Sequence, residues 1–235
     1  MNRHPVYLFV RDELAEHPEL NALSGCSGWI GDPPLNSKLA EQAALAACCG
    51  EIEPDFKGYR VVDADCGLPA RSEIQPLIVR VEIRRPAPNF SLNRSQHGSG
   101  FLFYAPDPAS LTGYRINGLE VGLRQWLSEL DCERVAGVWL DCPEAEAEKR
   151  GLELDALVLA REVFDGLLWL SGGAWETRHI DNLLREGNCD ALVLEADRFL
   201  ALGGVELVRK LNPPEQIPLA VVDDTVAGSC QREAG

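Results

Sequence analysis

The chain has 235 residues, a length that suits one large α/β domain or two small ones. Its 46% hydrophobic and 25% charged residues are typical of a globular protein and exclude a largely disordered chain. The 37 acidic residues outnumber the 22 Lys and Arg residues, and the formal charge of −15 disfavours nucleic acid and anionic membranes as partners. A small anionic ligand remains compatible with this charge, because a few arginines and backbone dipoles decide such binding.

The eight cysteines and four histidines give no metal-binding pattern, since no two cysteines have CxxC spacing and no histidine lies near a cysteine pair. We therefore predict neither a metal nor a cofactor. The N-terminus lacks the features of a signal peptide, and no apolar run approaches 18 residues. These features predict a cytoplasmic protein with reduced thiols and no membrane partner.

Residues 1–76 form the less regular part of the chain. A first strand is predicted over 6–10, and residues 23–34 are rich in Gly, Ser and Pro and read as a loop. A short helix is predicted over 39–49, with Ser37 as its N-cap. A second strand is predicted over 59–62, which leads directly into the acidic residues Asp63 and Asp65.

The pattern becomes more regular from residue 77. Residues 77–85 alternate apolar and charged side chains, which predicts a strand with one buried face and one polar face. Residues 86–100 are loop-like, and the aromatic run 101–104 predicts a strand that forms a hairpin with 77–85.

Helices and strands then alternate. The predicted elements are a helix near 119–130, strands over 135–140 and 218–222, and helices near 154–164 and 205–211. Strands at intervals of about 25 to 30 residues, separated by helices, indicate a mainly parallel sheet. We predict a single domain over 1–235, with its βα-repeats over 77–228.

The clearest βα-unit lies within residues 165–197. A buried strand at 167–170 is followed by the turn Ser171-Gly172-Gly173-Ala174, an amphipathic helix and a second apolar strand at 191–194. Such a turn places backbone N–H groups at a helix N-terminus, where they can hold a phosphate. Glycine is equally expected there if the backbone needs a positive φ or a close approach of helix and strand.

Acidic side chains follow most of the predicted strands. Ligands of parallel α/β folds bind at the carboxyl ends of strands, so these residues are the candidate site. The candidates are Asp63, Asp65, Glu82, Asp141, Ser171, Gly172, Gly173, Glu195, Asp197, Asp223 and Asp224. The carboxylates suit general acid–base chemistry, although any one of them could instead cap a helix or be solvated. They could equally bind Mg²⁺, but no spacing specifies such a site.

Arg84 and Arg85, which follow the alternating strand, could hold a phosphate from the opposite side. Exposed loop arginines need no such role. The sequence contains no nucleophile elbow, Walker-type loop, dinucleotide fingerprint or HExxH motif.

The segment Gly166-Leu167-Leu168-Trp169-Leu170-Ser171-Gly172-Gly173-Ala174 resembles the seventh βα-unit of the histidine-biosynthesis (βα)8 barrels, the isomerase and cyclase-subunit enzymes. Residues 77–85 resemble the fifth strand of that family, and 135–141 the sixth. The resemblance covers roughly 77–212. It implies that the Ser-Gly-Gly turn contributes to a phosphate site and that Glu82 occupies the position of a catalytic aspartate.

The chain also departs from that family. Asp141-Cys142-Pro143-Glu144 stands where the family has a phosphate-binding turn, and Glu195-Ala196-Asp197 replaces a glycine after strand eight. Four ordinary βα-units need about 25 residues each, more than the first 76 residues supply. We therefore expect an α/β fold with a divergent or incomplete (βα)8 TIM-like barrel, either trimmed or completed by another chain.

Two functions are compatible with these features. The first is an enzyme with isomerase- or lyase-like acid–base chemistry on a small phosphorylated or carboxylated metabolite, in cofactor or one-carbon metabolism. Its catalytic residues would be Glu82 and Asp141, and its ligand-binding residues Ser171, Gly172, Gly173, Arg85, Asp63 and Glu195. The alternative is a catalytically inactive relative that serves as a subunit or binding module of a homo- or hetero-oligomer.

Overall fold

A computed structural model of the chain describes ten segments. They are residues 7–11, 27–31, 45–49, 58–68, 76–85, 90–94, 102–106, 113–117, 121–186 and 189–211.

Strands and helices alternate regularly in the second half of the chain. The strands are β1 (Tyr7–Arg11), β2 (Ser27–Gly31), β3 (Leu45–Cys49), β4 (Tyr59–Asp63), β5 (Leu77–Arg84), β6 (Phe90–Arg94), β7 (Leu102–Pro106), β8 (Arg115–Ile116), β9 (Val135–Asp141), β10 (Leu167–Ser171) and β11 (Ala191–Glu195). The α-helices are α1 (Leu123–Glu129), α2 (Pro143–Glu148), α3 (Leu154–Arg161), α4 (Thr177–Glu186), α5 (Ala196–Ala201) and α6 (Val205–Leu211). A 3₁₀ turn, Ala64–Cys66, follows β4.

The core of the fold is a curled parallel sheet. Strands β4, β5, β9, β10 and β11 lie side by side in this order and form half of a barrel. Strand β1 pairs in parallel with β11 and with β2, and β2 and β3 continue the parallel pairing to β4. The predicted α/β class with a mainly parallel sheet is therefore confirmed.

The two faces of the sheet are both apolar, and they bury different side chains. One face packs against the helices, with Leu168, Leu170 and Leu192 in one cluster with Ile180 and Leu183 of α4. The opposite face carries a cluster made only of strand residues: Ile30, Val61, Ile78, Trp139, Trp169, Ala191 and Val193. We call this set the inner cluster and its side of the sheet the inner face. Because side chains alternate along a strand, a residue two positions further along the same strand also lies on the inner face.

The first half of the chain differs from the sequence prediction. The predicted loop at 23–34 contains β2, and the predicted helix at 39–49 ends in β3, while 39–44 lie outside the described residues. Alanine favours helices in isolation, but the parallel pairing of β3 with β2 and β4 overrides this preference. The strands start at residues 7, 27, 45 and 59, closer together than the spacing of about 25 residues that we expected.

The predicted hairpin between 77–85 and 101–104 is also wrong. Strand β7 pairs antiparallel with β6, which lies in the predicted loop 86–100, whereas β5 has β8 as its antiparallel partner. The short β8 pairs with the end of β5 through Ile116 and Ile83, both of which are buried. Burial of these two apolar side chains therefore accompanies the observed pairing.

The later elements agree with the sequence prediction. Strands β9, β10 and β11 and helices α3, α4 and α6 lie within a few residues of their expected positions, and α1 begins later, at Leu123. Helices α2 and α5 are additional elements. The predicted strand at 218–222 lies outside the described residues. None of the helices in the described segments has the length and apolar character needed to cross a membrane.

Candidate functional site

The carboxyl ends of neighbouring strands bring several of the predicted site residues together. Glu82 of β5 is level with Asp141 of β9, and Asp141 is level with Ser171 of β10. On the other side of β5, Asp63 of β4 is level with Arg80. All five residues lie on the inner face, because each is an even number of residues from a member of the inner cluster.

Arg80 is the centre of this group. Its Nη2 and Nε donate to Asp141 Oδ2 over 2.6 and 3.0 Å. Its Nη1 lies 3.5 Å from Asp63 Oδ1, and its guanidinium carbon lies 5.1 Å from the centre of the Trp139 ring. The side chains of Arg80 and Asp141 are only 20% and 14% exposed, so their bond is largely shielded from water.

Ser171 links Asp141 to the apolar interior. Its hydroxyl donates to Asp141 Oδ1 over 2.6 Å and accepts a hydrogen bond from Trp139 Nε1 over 2.7 Å. Both oxygens of Asp141 are therefore bonded, one to Arg80 and the other to Ser171. The carboxylate is held in one orientation at the top of the inner apolar cluster.

Burial and the neighbouring carboxylates act in opposite directions on the pKa of Arg80. Burial alone would lower the pKa of Arg80, but the hydrogen bond and charge of Asp141 raise it, with further contributions from Asp63 and Glu82. The net pKa is raised, so this guanidinium remains a cation.

Glu82 has a different environment from Asp141. It is partly exposed, and its Oε2 accepts a hydrogen bond of 2.6 Å from the side-chain amide of Asn117. The backbone N–H of Asn117 also donates to the carbonyl of Glu82 over 2.8 Å. No described residue donates to Oε1.

The glycine turn after β10 meets the backbone of its neighbours. Gly172 and Gly173 have φ values of 87° and 90°, in the region that favours glycine. A Cβ at Gly172 would lie 2.2 Å from the carbonyl oxygen of Cys142, and one at Gly173 would lie 2.1 Å from that of Gly151. The structural reason for the glycines, positive φ with close packing, therefore holds at both positions.

Three backbone donors in and after the turn have side-chain acceptors within the chain. The N–H of Gly173 donates to Glu146 Oε2 over 2.7 Å. The N–H groups of Trp175 and Glu176 lie 3.1 and 3.3 Å from Nδ1 of the buried His179, which accepts from both at the start of α4. Three donors at this helix N-terminus are thus already engaged.

The carboxylate of Glu146 also binds a cation from the next βα-unit. Arg198 of α5 donates from Nη2 to Glu146 Oε1 over 3.2 Å, and its guanidinium carbon lies 3.3 Å from the centre of the Trp175 ring. Lys149 Nζ lies 4.3 Å from the same ring centre. Trp175 itself donates from Nε1 to the backbone carbonyl of Glu146 over 3.0 Å.

Arg85, a predicted ligand-binding residue, is bonded to a buried carboxylate. Its Nε donates to Glu153 Oε2 over 2.8 Å, and the hydroxyl of Tyr114 donates to the same oxygen over 2.7 Å. Arg150 Nη2 lies 3.4 Å from Glu153 Oε1. The structure therefore joins Arg85 to the start of α3 and does not show it in contact with the glycine turn.

The remaining predicted positions are more exposed. Glu195 lies at the end of β11 and Asp197 in the first turn of α5, and both are exposed. Asp223 and Asp224 lie outside the described residues. Asp63, Asp65 and Cys66 have ligand atoms within 4.8 Å of one another, but all three are exposed and Arg80 already faces Asp63.

Sequence reasoning missed Arg80, Trp139, Asn117, Glu146 and Arg198. The alternation in β5 could have placed Arg80 beside Glu82, since both have the parity of the buried Ile78. Glu146 and Arg198 are 52 residues apart, and no local pattern connects them.

Comparisons with known proteins give no assignment. No protein-family model matches the chain, and no curated protein matches it either.

Proposed function

We propose that this chain is an acid–base enzyme built on a divergent (βα)8 barrel, with its site at the carboxyl end of the strands. Two features support the barrel. The parallel pairings lead from β11 through β1, β2 and β3 to β4, which also pairs with β5. In addition, β5, β9, β10 and β11 are neighbours in the order of the fifth to eighth strands of the barrels that the sequence resembles.

The observation that carries the enzymatic proposal is the pair Glu82 and Asp141. They are level with each other on adjacent strands of the inner face, and they differ in their bonding. Asp141 has both oxygens engaged by Arg80 and Ser171, whereas Glu82 keeps an oxygen free of bonds to the described residues. Glu82 is therefore the group that exchanges a proton with the substrate, and Asp141 is the fixed charge beside the reacting atom.

The charge at the site constrains the reacting group. Asp63, Glu82 and Asp141 surround one cation, Arg80, so a neutral or cationic group is favoured beside Glu82. The proposed reaction is proton transfer of the isomerase or lyase type on a small phosphorylated or carboxylated metabolite. Any anionic group of that metabolite would lie away from these carboxylates.

The test begins with a ligand. The parent protein is screened for thermal stabilisation by sugar phosphates, aminoimidazole ribotides, pterin-like compounds and small carboxylic acids, because a compound that binds the folded state raises the melting temperature. Each stabilising compound is then incubated with the protein and followed by NMR for conversion. Glu82→Gln should still bind that compound and should convert it about 10²- to 10⁴-fold more slowly.

Glu129→Gln is the matched control, because it makes the same change on an exposed residue of α1. It should convert the compound at the parent rate. Conversion by Glu82→Gln at the parent rate, with the melting temperature unchanged, would show that Glu82 is a structural carboxylate and would refute the proposal.

A second candidate is an inactive relative that acts as a subunit or binding module. The observation that favours it is the occupation of the glycine turn by Glu146, which removes a ligand contact that a working enzyme of the resembled kind would use. This candidate predicts a stable oligomer in light scattering and no conversion of any stabilising compound. A monomer that converts a compound would exclude it.

A further inference from the structure

Glu146 occupies the position at which the glycine turn would hold an anion. One carboxylate oxygen accepts the N–H of Gly173 over 2.7 Å, and the other accepts from Arg198 over 3.2 Å. A bound phosphate would require the same two kinds of donor, a backbone N–H in a glycine turn and a guanidinium. The chain therefore supplies from α2 the negative charge that a ligand would otherwise bring.

The surroundings of Glu146 favour a fixed anion. Arg198 is only 20% exposed, and it lies against the Trp175 ring, which Lys149 approaches as well. Trp175 is bonded in turn to the backbone carbonyl of Glu146. Ring, cation and carboxylate thus hold one another in place, and a carboxylate that is bonded at both oxygens needs no external ligand.

Two further backbone donors beside the turn already have an acceptor. Those of Trp175 and Glu176 are engaged by His179. The side of the turn that faces α2 is filled, since Gly173 lies against Gly151 and Ala145. A phosphate at this turn would have to displace Glu146 from both of its donors.

We propose that Glu146 is a specificity-determining residue, a built-in anion that fills the anion position of the turn and excludes a ligand phosphate from it. The claim that Glu146 fills this position depends only on the geometry of the turn. The substrate class rests in addition on the proposed function: the metabolite that reacts at Glu82 is one that places no anionic group, phosphate or carboxylate, at this turn.

The test measures anion binding at the turn directly. The amide resonance of Gly173 is followed by NMR while the protein is titrated with sodium phosphate, with sodium chloride at equal ionic strength as the reference. In the parent protein this resonance should not shift beyond the chloride reference. In Glu146→Ala the vacated position should bind phosphate or acetate, and the Gly173 resonance should shift to saturation with a matching rise in melting temperature.

Glu148→Ala is the matched control, because Glu148 lies on the same helix and is ion-paired with Arg150 instead of the turn. It should behave as the parent does. A saturable phosphate shift of Gly173 in the parent would overturn the proposal, and so would a Glu146→Ala protein in which neither anion shifts this resonance. If Glu146→Ala does not fold, the parent titration still decides between an open and a filled turn.

This experiment measures binding at the turn and needs no activity. A phosphate shift in the parent would refute the role of Glu146 and leave acid–base chemistry at Glu82 untouched. Conversion at the parent rate by Glu82→Gln would do the reverse.

Discussion

Ser171 shows how a single small side chain can join the candidate site to the core. It accepts from the indole of the buried Trp139 and donates to Asp141, which in turn holds Arg80. A hydroxyl can fill both roles because it is donor and acceptor at once. The position of Asp141 therefore depends on the hydroxyl of Ser171 as well as on Arg80.

We expect Ser171→Ala to destabilise the protein by about 1–3 kcal/mol, because it leaves the indole N–H of Trp139 buried without an acceptor. Urea unfolding measures the change. Ser128→Ala is the control, since the hydroxyl of Ser128 is exposed on α1 and donates only to the carbonyl of Gln125. Equal stabilities of the two variants would show that the bond to Trp139 contributes nothing.

Tyr114 provides a prediction of pH dependence. Burial, followed by the hydrogen bond and the charge of Glu153, raises the pKa of Tyr114 in the folded protein. The unfolded state loses the tyrosine proton near pH 10 while the folded state retains it, so this contribution to stability is complete below about pH 10 and declines above it.

Urea unfolding of the parent and of Tyr114→Phe between about pH 8 and 11 tests this sign. The free energy of unfolding of the parent should fall more steeply above about pH 10 than that of the variant. At pH 8 the variant should be less stable by about 1–3 kcal/mol, because Glu153 loses a buried donor. Parallel curves across the whole range would contradict the raised pKa.

At the scale of elements, the turn between β10 and α4 explains why the sequence predicted some of the site and not the rest. The strand, the glycines and the amphipathic helix are local features, and the structure has them where the sequence placed them. Of the two acceptors of the turn, His179 bonds N–H groups three and four residues before it, a local contact that sequence reasoning missed. Glu146 is 27 residues from Gly173, and its contact depends on tertiary packing. Local pattern therefore located the turn but could not say what fills it.

The strands β2 and β3 show a second limit. Their sequences, Ser-Gly-Trp-Ile-Gly and Leu-Ala-Ala-Cys-Cys, contain little of the β-branched composition that identifies strands. Their conformation follows from pairing with neighbours on both sides. By contrast, β9 to β11 are continuous apolar runs buried on both faces, a pattern that sequence reasoning recognises.

The close approach at Gly172 gives a prediction for this turn. We expect Gly172→Ala to destabilise the protein both through its positive φ and through the contact with the Cys142 carbonyl. Gly203→Ala is the control, because Gly203 has a φ of 111° and no atom within 4 Å of the added Cβ. The control should lose about 1–3 kcal/mol from strain alone. Gly172→Ala should lose about 1–3 kcal/mol more, and equal losses in urea unfolding would show that the turn relaxes freely.

At the scale of the whole molecule, the position of the site depends on whether the sheet closes. A half-barrel would expose the backbone of β11 at an edge, where other chains could pair with it. The pairing of β1 with β11 and of β3 with β4 removes both edges of the half-barrel. If the sheet closes in this way, the candidate site lies at one end of a ring of strands.

Hydrogen exchange measured by NMR distinguishes these two arrangements. Alternate N–H groups of a parallel strand point to opposite neighbours, so consecutive amides are protected only in a strand that is paired on both sides. We expect slow exchange at the consecutive amides of residues 192–194, because β11 lies between β10 and β1. Strand β6 is an internal reference: among the described residues it pairs with β7 alone, so its amides should be protected at every second residue. The same alternation in β11 would show that the ring is open there and that the site lies on an open sheet.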